Sequence, residues 1–309
     1  MTSAEASARP HQQSRSRVIA AFAAVYIVWG STYLAIRYAV ETIPPFFMVG
    51  ARFLVSGAVL YAWSRWRGEP RPTRSQWRDG FITGVLLLCC GNGAVAWAEQ
   101  RVPSGLAALL VAVVPLWMVV VDWLRPHGAR PRVSVAAGVV VGLVGLVVLI
   151  GPRTLVGRGD VDRSAAVVLV IASLAWAAGS VYNRYGARPN SATMSTGLQM
   201  IAGSVVLLLV GVVAGEPGTL HLARVSFASW MGWLYLVTFG SLVGFTAYVY
   251  LLRAVSPAKA STYAYVNPVV AVFLGWAVAG EPVTMRTLGA AAIILGGVAM
   301  ITISQSKGA

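Results

Sequence analysis

Charge is scarce in this chain of 309 residues, and so is cysteine. Only 11% of the residues are charged, whereas soluble globular domains have about 25%, and this difference excludes an ordinary water-soluble enzyme. The 2 cysteines, Cys89 and Cys90, are neighbours in an apolar run. We therefore predict that both side chains pack among apolar neighbours and do not belong to a disulfide scaffold.

Motifs for catalysis and for metal binding are also absent. The 3 histidines lie near the N-terminus or between apolar runs, so no membrane-embedded histidine pair predicts a haem site, and no HExxH zinc motif occurs. No serine has a base at a matching depth. The phosphate-binding motif G-x-x-x-x-G-K-[ST] is missing, which excludes ATP-driven pumping by this chain alone. We therefore expect a protein that is not an enzyme, with no catalytic residues, metal or cofactor.

Long apolar runs are what the chain has in abundance. Apolar and aromatic residues make up 57% of it, and the mean hydropathy is +0.72. A helix needs about 20 apolar residues to cross a bilayer, and continuous runs of that length are far longer than the strands of a membrane β-barrel. The sequence predicts an all-α polytopic membrane protein embedded in a lipid bilayer. Its ten transmembrane helices are predicted at 18–37, 45–64, 79–98, 104–124, 133–151, 164–183, 193–214, 229–251, 258–279 and 285–303.

The basic residues fall between the predicted helices. The formal net charge is +14, but these residues do not form one basic surface, so no nucleic-acid partner is predicted. If the N-terminus is cytoplasmic, 16 of the 24 Lys and Arg lie on that side and 7 on the other, while Arg52 lies inside a span. Because cytoplasmic loops carry the excess of positive charge, we expect both termini in the cytoplasm.

The chain also contains an internal repeat. A shift of 147 residues aligns Trp29 with Trp176, and a shift of 153 aligns Gly91 with Gly244. Because each copy has five predicted helices, an odd number, the second copy enters the membrane inverted. Inverted repeats are typical of secondary transporters, although duplication also occurs in membrane enzymes and scaffolds. The predicted organisation is a basic tail at 1–17, a first five-helix repeat at 18–151, a loop at 152–163, a second repeat at 164–304 and a tail at 305–309.

Arg52 is the ionisable residue near the middle of a predicted span, and Gln199 is its counterpart in the second repeat. Ionisable residues inside a membrane are costly and are therefore functional candidates. Arg52 either attracts an anionic group, such as the carboxylate of an amino-acid-like substrate, or bonds backbone carbonyls and fixes helix packing. The sequence leaves both interpretations open.

Polar and aromatic residues mark the rest of a predicted substrate pathway for a small molecule. A cavity lined by amide, phenol and indole groups suits neutral or zwitterionic amphipathic solutes. The alternative is hydrogen bonding between helices, which stabilises membrane proteins by about 0.6 kcal/mol per pair. Besides Arg52 and Gln199, the predicted pathway residues are Trp29, Asn92, Trp176, Ser241, Tyr248, Tyr263 and Asn267.

Hinge and coupling residues are predicted from prolines and acids. Pro115 and Pro268 occupy matching places in the two repeats and each removes a helical hydrogen bond, as expected of paired hinges or of static kinks. Glu99 follows Asn92 by seven residues on the same helical face. It is the candidate proton site, with solvation at a span end as the alternative, and facilitated diffusion stays open.

Glycine ladders occur in the fifth and tenth predicted helices. Gly138, Gly142 and Gly145 form one, and Gly289, Gly296 and Gly297 form the other. Small residues at such spacings let helices approach closely. The two helices therefore either pack together or form the face of a homodimer.

Segments along the whole chain carry a family resemblance. They are Trp29–Tyr33, Arg52-Phe53, Val102–Ser104 with Pro115, Val255–Pro257, Thr262–Pro268 and Gly280-Glu281. Together they resemble the drug/metabolite transporter superfamily, and in particular the EamA-type ten-helix exporters of the bacterial inner membrane, over residues 18 to 304. The resemblance implies export of small metabolites, amino-acid-like compounds or amphipathic drugs by alternating access. Import or bidirectional facilitation is the alternative, and an intramembrane lipid-modifying enzyme is a weaker one.

One segment departs from that family. Its members often have Gly-Glu after the fourth helix, where this chain reads Arg125–Ala129. A role of Glu281 that is shared by both repeats is therefore not expected.

Overall fold

A computed structural model describes residues 15–125, 132–150, 162–255, 260 and 262–306, which are helical and contain no strand. The predicted tail residues 1–14 and 307–309, the loop residues 152–161 and residues 126–129 of the departing segment lie outside the described residues. Residues 256–259, which include part of one family-like segment, lie outside them too.

The described residues form ten long helices, which confirms the predicted fold class. Seven have at least 18 residues and enough apolar length to cross a membrane, and the other three contain shorter apolar stretches. The helices are α1 (Arg15–Ala39), α2 (Pro45–Trp66), α3 (Arg74–Ala98), α4 (Ser104–Leu124), α5 (Val133–Ile150), α6 (Arg163–Tyr185), α7 (Ala192–Val213), α8 (Phe227–Ala254), α9 (Tyr263–Ala279) and α10 (Met285–Ser306).

Local signals set the ends of these helices. The side chains of Thr73, Ser191 and Ser226 accept hydrogen bonds from backbone N–H groups in the first turns of α3, α7 and α8, as N-cap residues do. Gly215 and Gly280 follow α7 and α9 with φ of 79° and 64°. Glycine adopts this left-handed conformation without steric cost, and it ends a helix sharply.

Helices of one repeat pack closely against helices of the other. α2 lies along α7, and α5 lies along α10. A Cβ atom added to Gly297 would lie 2.6 Å from the nitrogen of Gly142, and one added to Gly138 would lie 2.8 Å from the carbonyl oxygen of Gly297. These glycines therefore bring α5 and α10 together within one chain, whereas Gly289 and Gly296 have no such close neighbour.

Three helices contain π-helical segments that the sequence pattern did not predict. They are Ala24–Trp29 in α1, Val85–Gly93 in α3 and Leu236–Phe245 in α8. α3 and α8 are equivalent in the two repeats, whereas α6, the equivalent of α1, is regular. π segments inside α-helices are frequent at functional sites, and these three lie beside the central cavity described below.

The two matching prolines differ in their effect. α4 is interrupted between Val111 and Val114, and Pro115 lies in the first turn of its second part. α9 continues through Pro268 without a break. The paired interruption expected from the sequence is therefore present in only one repeat, because α9 retains its helical path around the proline.

Candidate functional site

A cavity of about 70 Å³ lies between the two repeats. For comparison, one water molecule needs about 10–15 Å³ by this kind of measure, so the cavity has room for a small solute. Both repeats contribute to its wall. The residues that line it are Trp29, Thr32, Tyr33, Ile36, Arg52, Gly91, Asn92, Val95, Val111, Val114, Ala172, Trp176, Phe245, Tyr263 and Asn267.

Aromatic rings form much of this wall. The ring of Trp29 lies 5.6 Å from that of Trp176 and 5.5 Å from that of Tyr263, in both cases nearly perpendicular. Trp29 Nε1 donates a hydrogen bond to the carbonyl oxygen of Gly240 at 3.1 Å. A Cβ atom at Gly244 would lie only 2.6 Å from Nε1, so glycine at that position leaves room for the ring. The two equivalent tryptophans thus meet at the cavity, as their predicted pathway position requires.

Arg52 places a buried guanidinium group at the cavity. Its Nε donates to Ser241 Oγ at 2.7 Å, and its Cζ lies 4.7 Å from the centre of the Phe53 ring. Its Nη1 has no hydrogen-bond partner and no ion pair among the described residues. The side chain is therefore held by α8, while part of its hydrogen-bonding capacity is left unused.

Asparagines from the two repeats also reach the cavity. Asn92 Nδ2 donates to the carbonyl oxygen of Leu87 at 3.4 Å, five residues back in the π segment. With its amide oriented so that Nδ2 is the donor, Asn267 contacts the carbonyl oxygens of Tyr26 and Tyr263 at 3.2 and 3.3 Å. Asn267 thus links α9 to α1, in addition to lining the cavity.

Three predicted pathway residues do not line this cavity. Ser241 lies behind the wall and holds Arg52. Tyr248 is fully buried, where it packs against Trp29 at 4.9 Å and hydrogen bonds to Ser180. Gln199 Nε2 donates to Asn183 and Ser195 at a separate small polar pocket. Sequence equivalence to Arg52 predicts Gln199 at the same cavity, but the two side chains line different pockets.

One side of the molecule, which we call the far side, lies where α1 ends and α2 begins. There the buried Glu281, which follows α9, accepts hydrogen bonds from Ser104 N, Ser104 Oγ and Gly105 N at 2.8, 2.8 and 3.0 Å. It also forms an ion pair with Arg37 at 2.5 Å. A carboxylate at the start of α4 is stabilised by the unpaired N–H groups of the helix end. Glu281 of the second repeat therefore links the end of α9 to α1 and α4 of the first repeat.

Glu216 makes a second contact of this kind on the far side. It follows α7 and accepts hydrogen bonds from Phe46 N and Phe47 N at 2.9 and 2.7 Å, at the start of α2. Both acids belong to the second repeat, so the expectation that Glu281 has no counterpart in the first repeat stays a prediction, and residues 126–129 after α4 lie outside the described residues. A signal was available in the sequence, since Gly-Glu-Pro occurs at 68–70, 215–217 and 280–282.

The opposite side, which we call the terminal side, is where α1 begins and α10 ends. Asp79 of α3, 5% exposed, accepts hydrogen bonds from Tyr182 Oη at 3.0 Å and from Ala187 N at 2.7 Å. The adjacent Arg78 also donates to it. On this side an acid of the first repeat accepts hydrogen bonds from the second repeat. Glu69, in the third Gly-Glu-Pro segment, has no side-chain hydrogen bond of the kind that Glu216 makes to a helix start in the described residues.

Glu99 lies at the far-side end of α3. It is 5% exposed, and neither of its carboxylate oxygens has a hydrogen-bond partner among the described residues. Burial raises the pKa of the Glu99 carboxyl well above its usual range, and the nearby Glu281 adds to this rise while Arg37 opposes it. A buried acid without partners is stable only in its neutral form. Burial of Glu99 beside the contacts of Glu281 therefore favours the neutral form of its carboxyl group.

Metal binding finds no support in the geometry. Within residues 15–125, 132–150, 162–255, 260 and 262–306, no three His, Cys, Asp or Glu side chains are grouped to hold an ion. The cavity wall in the same ranges contains one cationic side chain and no carboxylate.

Known proteins match this chain over nearly its whole length. The profile of the EamA-like transporter family matches residues 16–151 and again 163–303. The inner membrane transporter YedA of Escherichia coli (strain K12) is 40% identical over 283 residues, which are 91% of this chain and 89% of that protein. Protein PecM of Dickeya dadantii is 27% identical over 254 residues, 81% of this chain and 80% of PecM.

A solved crystal structure has the same fold. It is superimposed with a TM-score of 0.66 and 21% sequence identity over 94% of this chain and 98% of that one. At that identity the likeness concerns the fold alone. It supports two five-helix repeats in the arrangement seen here.

Proposed function

Because the chain belongs to the EamA-like transporter family and is a multi-pass protein of the inner membrane, we propose that it is a secondary transporter that exports a small solute by alternating access. In this proposal both termini are cytoplasmic, so the far side faces the periplasm. Import or bidirectional facilitation is the alternative direction.

The observation that carries the proposal is the cavity between two repeats with cross-repeat contacts on both of its sides. Glu281 and Glu216 join the repeats on the far side, and Asp79 joins them on the terminal side. Alternating access requires that one set of contacts opens while the other holds. These contacts are hydrogen bonds to two carboxylates on the far side and to one on the terminal side, which is a small enough number to break and form again.

The pathway residues in this proposal are those that reach the cavity. Trp29 and Trp176 act as the wall that closes on the solute, and Asn92 and Tyr263 offer it polar groups. Pro115 is the hinge, since α4 is interrupted just before it. Pro268 is dropped as a hinge, because α9 is continuous there.

Glu99 is the proposed proton site. Its neutral carboxyl group lies beside the ion pair of Arg37 and Glu281, so loss of its proton would place a second negative charge there. That charge would compete with Glu281 for Arg37 and weaken the contacts that hold the far side shut. Proton release from Glu99 would thus accompany opening of the far side, as in a proton-coupled antiporter.

The test compares metabolites in cells and medium for strains that express the wild type, Asn92→Ala, Trp176→Ala or the control Cys90→Ala. Cys90 lies two residues from Asn92 but is exposed. At matched membrane abundance, we expect a compound that is enriched in the medium with the wild type and Cys90→Ala, and at least about fivefold less so with the cavity variants. Failure to find any solute whose distribution depends on the wild-type protein would contradict transport. Enrichment of a solute inside the cells would reverse the proposed direction.

A further inference from the structure

Arg52 is a buried cation without an acidic partner. It is 3% exposed, and among the described residues the ion pairs of the chain involve other basic residues, namely Arg37, Arg78 and Arg125. Buried charges are normally paired, because removing an ion from water is costly. A lone guanidinium in the interior of a membrane protein is therefore the kind of group that a ligand completes.

The surroundings of Arg52 orient it instead of neutralising it. Ser241 accepts from Nε, and the Phe53 ring lies under the guanidinium plane. No backbone carbonyl accepts a hydrogen bond from the side chain in the described part of the chain. The packing interpretation, in which Arg52 bonds backbone carbonyls, thus lacks its contacts, and Nη1 remains an unused, buried donor of a side chain that lines the cavity.

The rest of the cavity wall fits a molecule with one charged end. It contains aromatic and aliphatic side chains together with neutral amides and hydroxyl groups. The polar portion of such a molecule would meet Arg52, and its apolar portion would meet Trp29, Trp176 and Phe245. The volume of about 70 Å³ corresponds to about five water molecules, which limits the solute to a small one unless the cavity widens.

We propose that Arg52 is an anion-binding residue, and that the transported solute is a small monocarboxylate with an apolar or aromatic portion. This inference rests on the proposed transport function and deepens it. A guanidinium group binds a carboxylate by charge-assisted hydrogen bonds. Because Nε is already bonded to Ser241, Nη1 is the donor that the carboxylate meets.

The experiment measures binding by equilibrium dialysis with the purified full-length protein. The probes are a library of carboxylic acids of about five to ten heavy atoms, a size chosen from the cavity volume, each paired with its neutral amide. Proteins are the wild type, Arg52→Gln, Arg52→Lys, Ser241→Ala and the control Gln199→Leu. Gln199 occupies the equivalent place in the other repeat but lies outside the cavity.

We expect at least one acid to bind the wild type about tenfold or more tightly than its amide, since a hydrogen bond to a charged group has that effect on affinity. Arg52→Gln should bring this ratio close to 1, Gln199→Leu should leave it unchanged, and Arg52→Lys should keep part of it. Ser241→Ala keeps the cation but not its orientation and should give an intermediate ratio. If Arg52→Gln does not fold, Arg52→Lys and Ser241→Ala still test whether Arg52 binds the carboxylate.

The inference is overturned if no acid is preferred over its amide, or if the preference survives in Arg52→Gln. Flux assays in proteoliposomes separate it from the proposed function. Binding of acids without flux of any would contradict transport while Arg52 keeps its assignment. Flux of neutral or cationic solutes, with no acid preferred, would contradict the assignment of Arg52 and leave transport intact.

Discussion

The two sides of the molecule are closed by different arrangements of acidic residues. On the far side, Glu216 and Glu281 of the second repeat cap helices of the first, and Glu281 also pairs with Arg37. On the terminal side, Asp79 of the first repeat holds one hydroxyl and one backbone N–H of the second. Inverted repeats therefore do not produce equal closures.

The two sides also differ in the acidic group that we propose as the proton site. Glu99, buried and without hydrogen-bond partners in the described residues, lies next to the far-side ion pair. Asp79 has its full set of donors and a neighbouring arginine. In the proposed mechanism, a proton gained or lost at Glu99 would therefore change the far side and leave the terminal side as it is.

The largest expected effect is that of Glu281→Ala. It removes the buried partner of the half-exposed Arg37 and leaves the N–H groups at the start of α4 without their acceptor, and the loss of hydrogen bonds to a charged group costs about 2–3 kcal/mol. We expect a fall in thermal stability and loss of closure on the far side. Cysteine accessibility on the far side, measured with a membrane-impermeant maleimide in a Cys89→Ala, Cys90→Ala background, checks closure. Unchanged accessibility would show that Glu281 is not needed for it.

Glu216→Gln is expected to have the next effect. The amide retains one acceptor oxygen but loses the charge at the start of α2, so a loss of about 1–2 kcal/mol is expected. The matched control is Glu69→Gln, in a Gly-Glu-Pro segment where the acid caps no described helix, for which we expect a change within about 0.5 kcal/mol. Both are measured by thermal unfolding in the same detergent. Equal effects would mean that the capping contacts contribute nothing.

Asp79→Asn tests the other side of the comparison. Its amide can still accept one hydrogen bond but repels the second donor, and the expected loss is about 1 kcal/mol. Accessibility should rise on the terminal side and not on the far side. A rise on the far side would mean that the two closures are not separate, and this outcome would remove the basis of the comparison.

Glu99→Gln has the smallest expected effect, and that effect depends on pH. The folded protein keeps a proton on Glu99 that the unfolded chain releases above its ordinary pKa, so the stability of the wild type falls as pH rises through the range between the unfolded and the raised folded pKa. The variant lacks this pH-dependent loss of stability, because glutamine does not ionise. We therefore expect its unfolding temperature to exceed that of the wild type by more at pH 7.5 than at pH 5, by about 2–4 °C at most. A difference that does not change with pH would mean that Glu99 is ionised in the folded state.

The sequence was sufficient for the fold class and for part of the site. Hydropathy and the repeat predict the ten helices, and the fold prediction succeeds because it depends on helix length. It needs no knowledge of how the helices pack. Trp29, Trp176, Arg52 and Asn92 line the cavity, and their role in a substrate pathway stays a prediction.

What the sequence did not predict depends on packing between distant segments. The sequence does not predict the π segment Leu236–Phe245 of α8, and Ser241 within it and Tyr248 just after it lie behind the cavity wall. Glu281 meets Ser104, which is 177 residues away along the chain. Hydrophobic periodicity and helix propensity do not predict such a long-range contact. The recurrence of Gly-Glu-Pro is the sequence feature that indicates where it lies.

The measurement that tests the account most directly follows one cavity residue from both sides. Thr32 lines the cavity, and Thr32→Cys in the Cys89→Ala, Cys90→Ala background places a single thiol there. We predict that an impermeant maleimide labels it from the far side and, in vesicles of opposite orientation, from the terminal side, with Glu281→Ala favouring the far side and Asp79→Asn the terminal side. Labelling from one side only, whichever variant is used, would contradict alternating access.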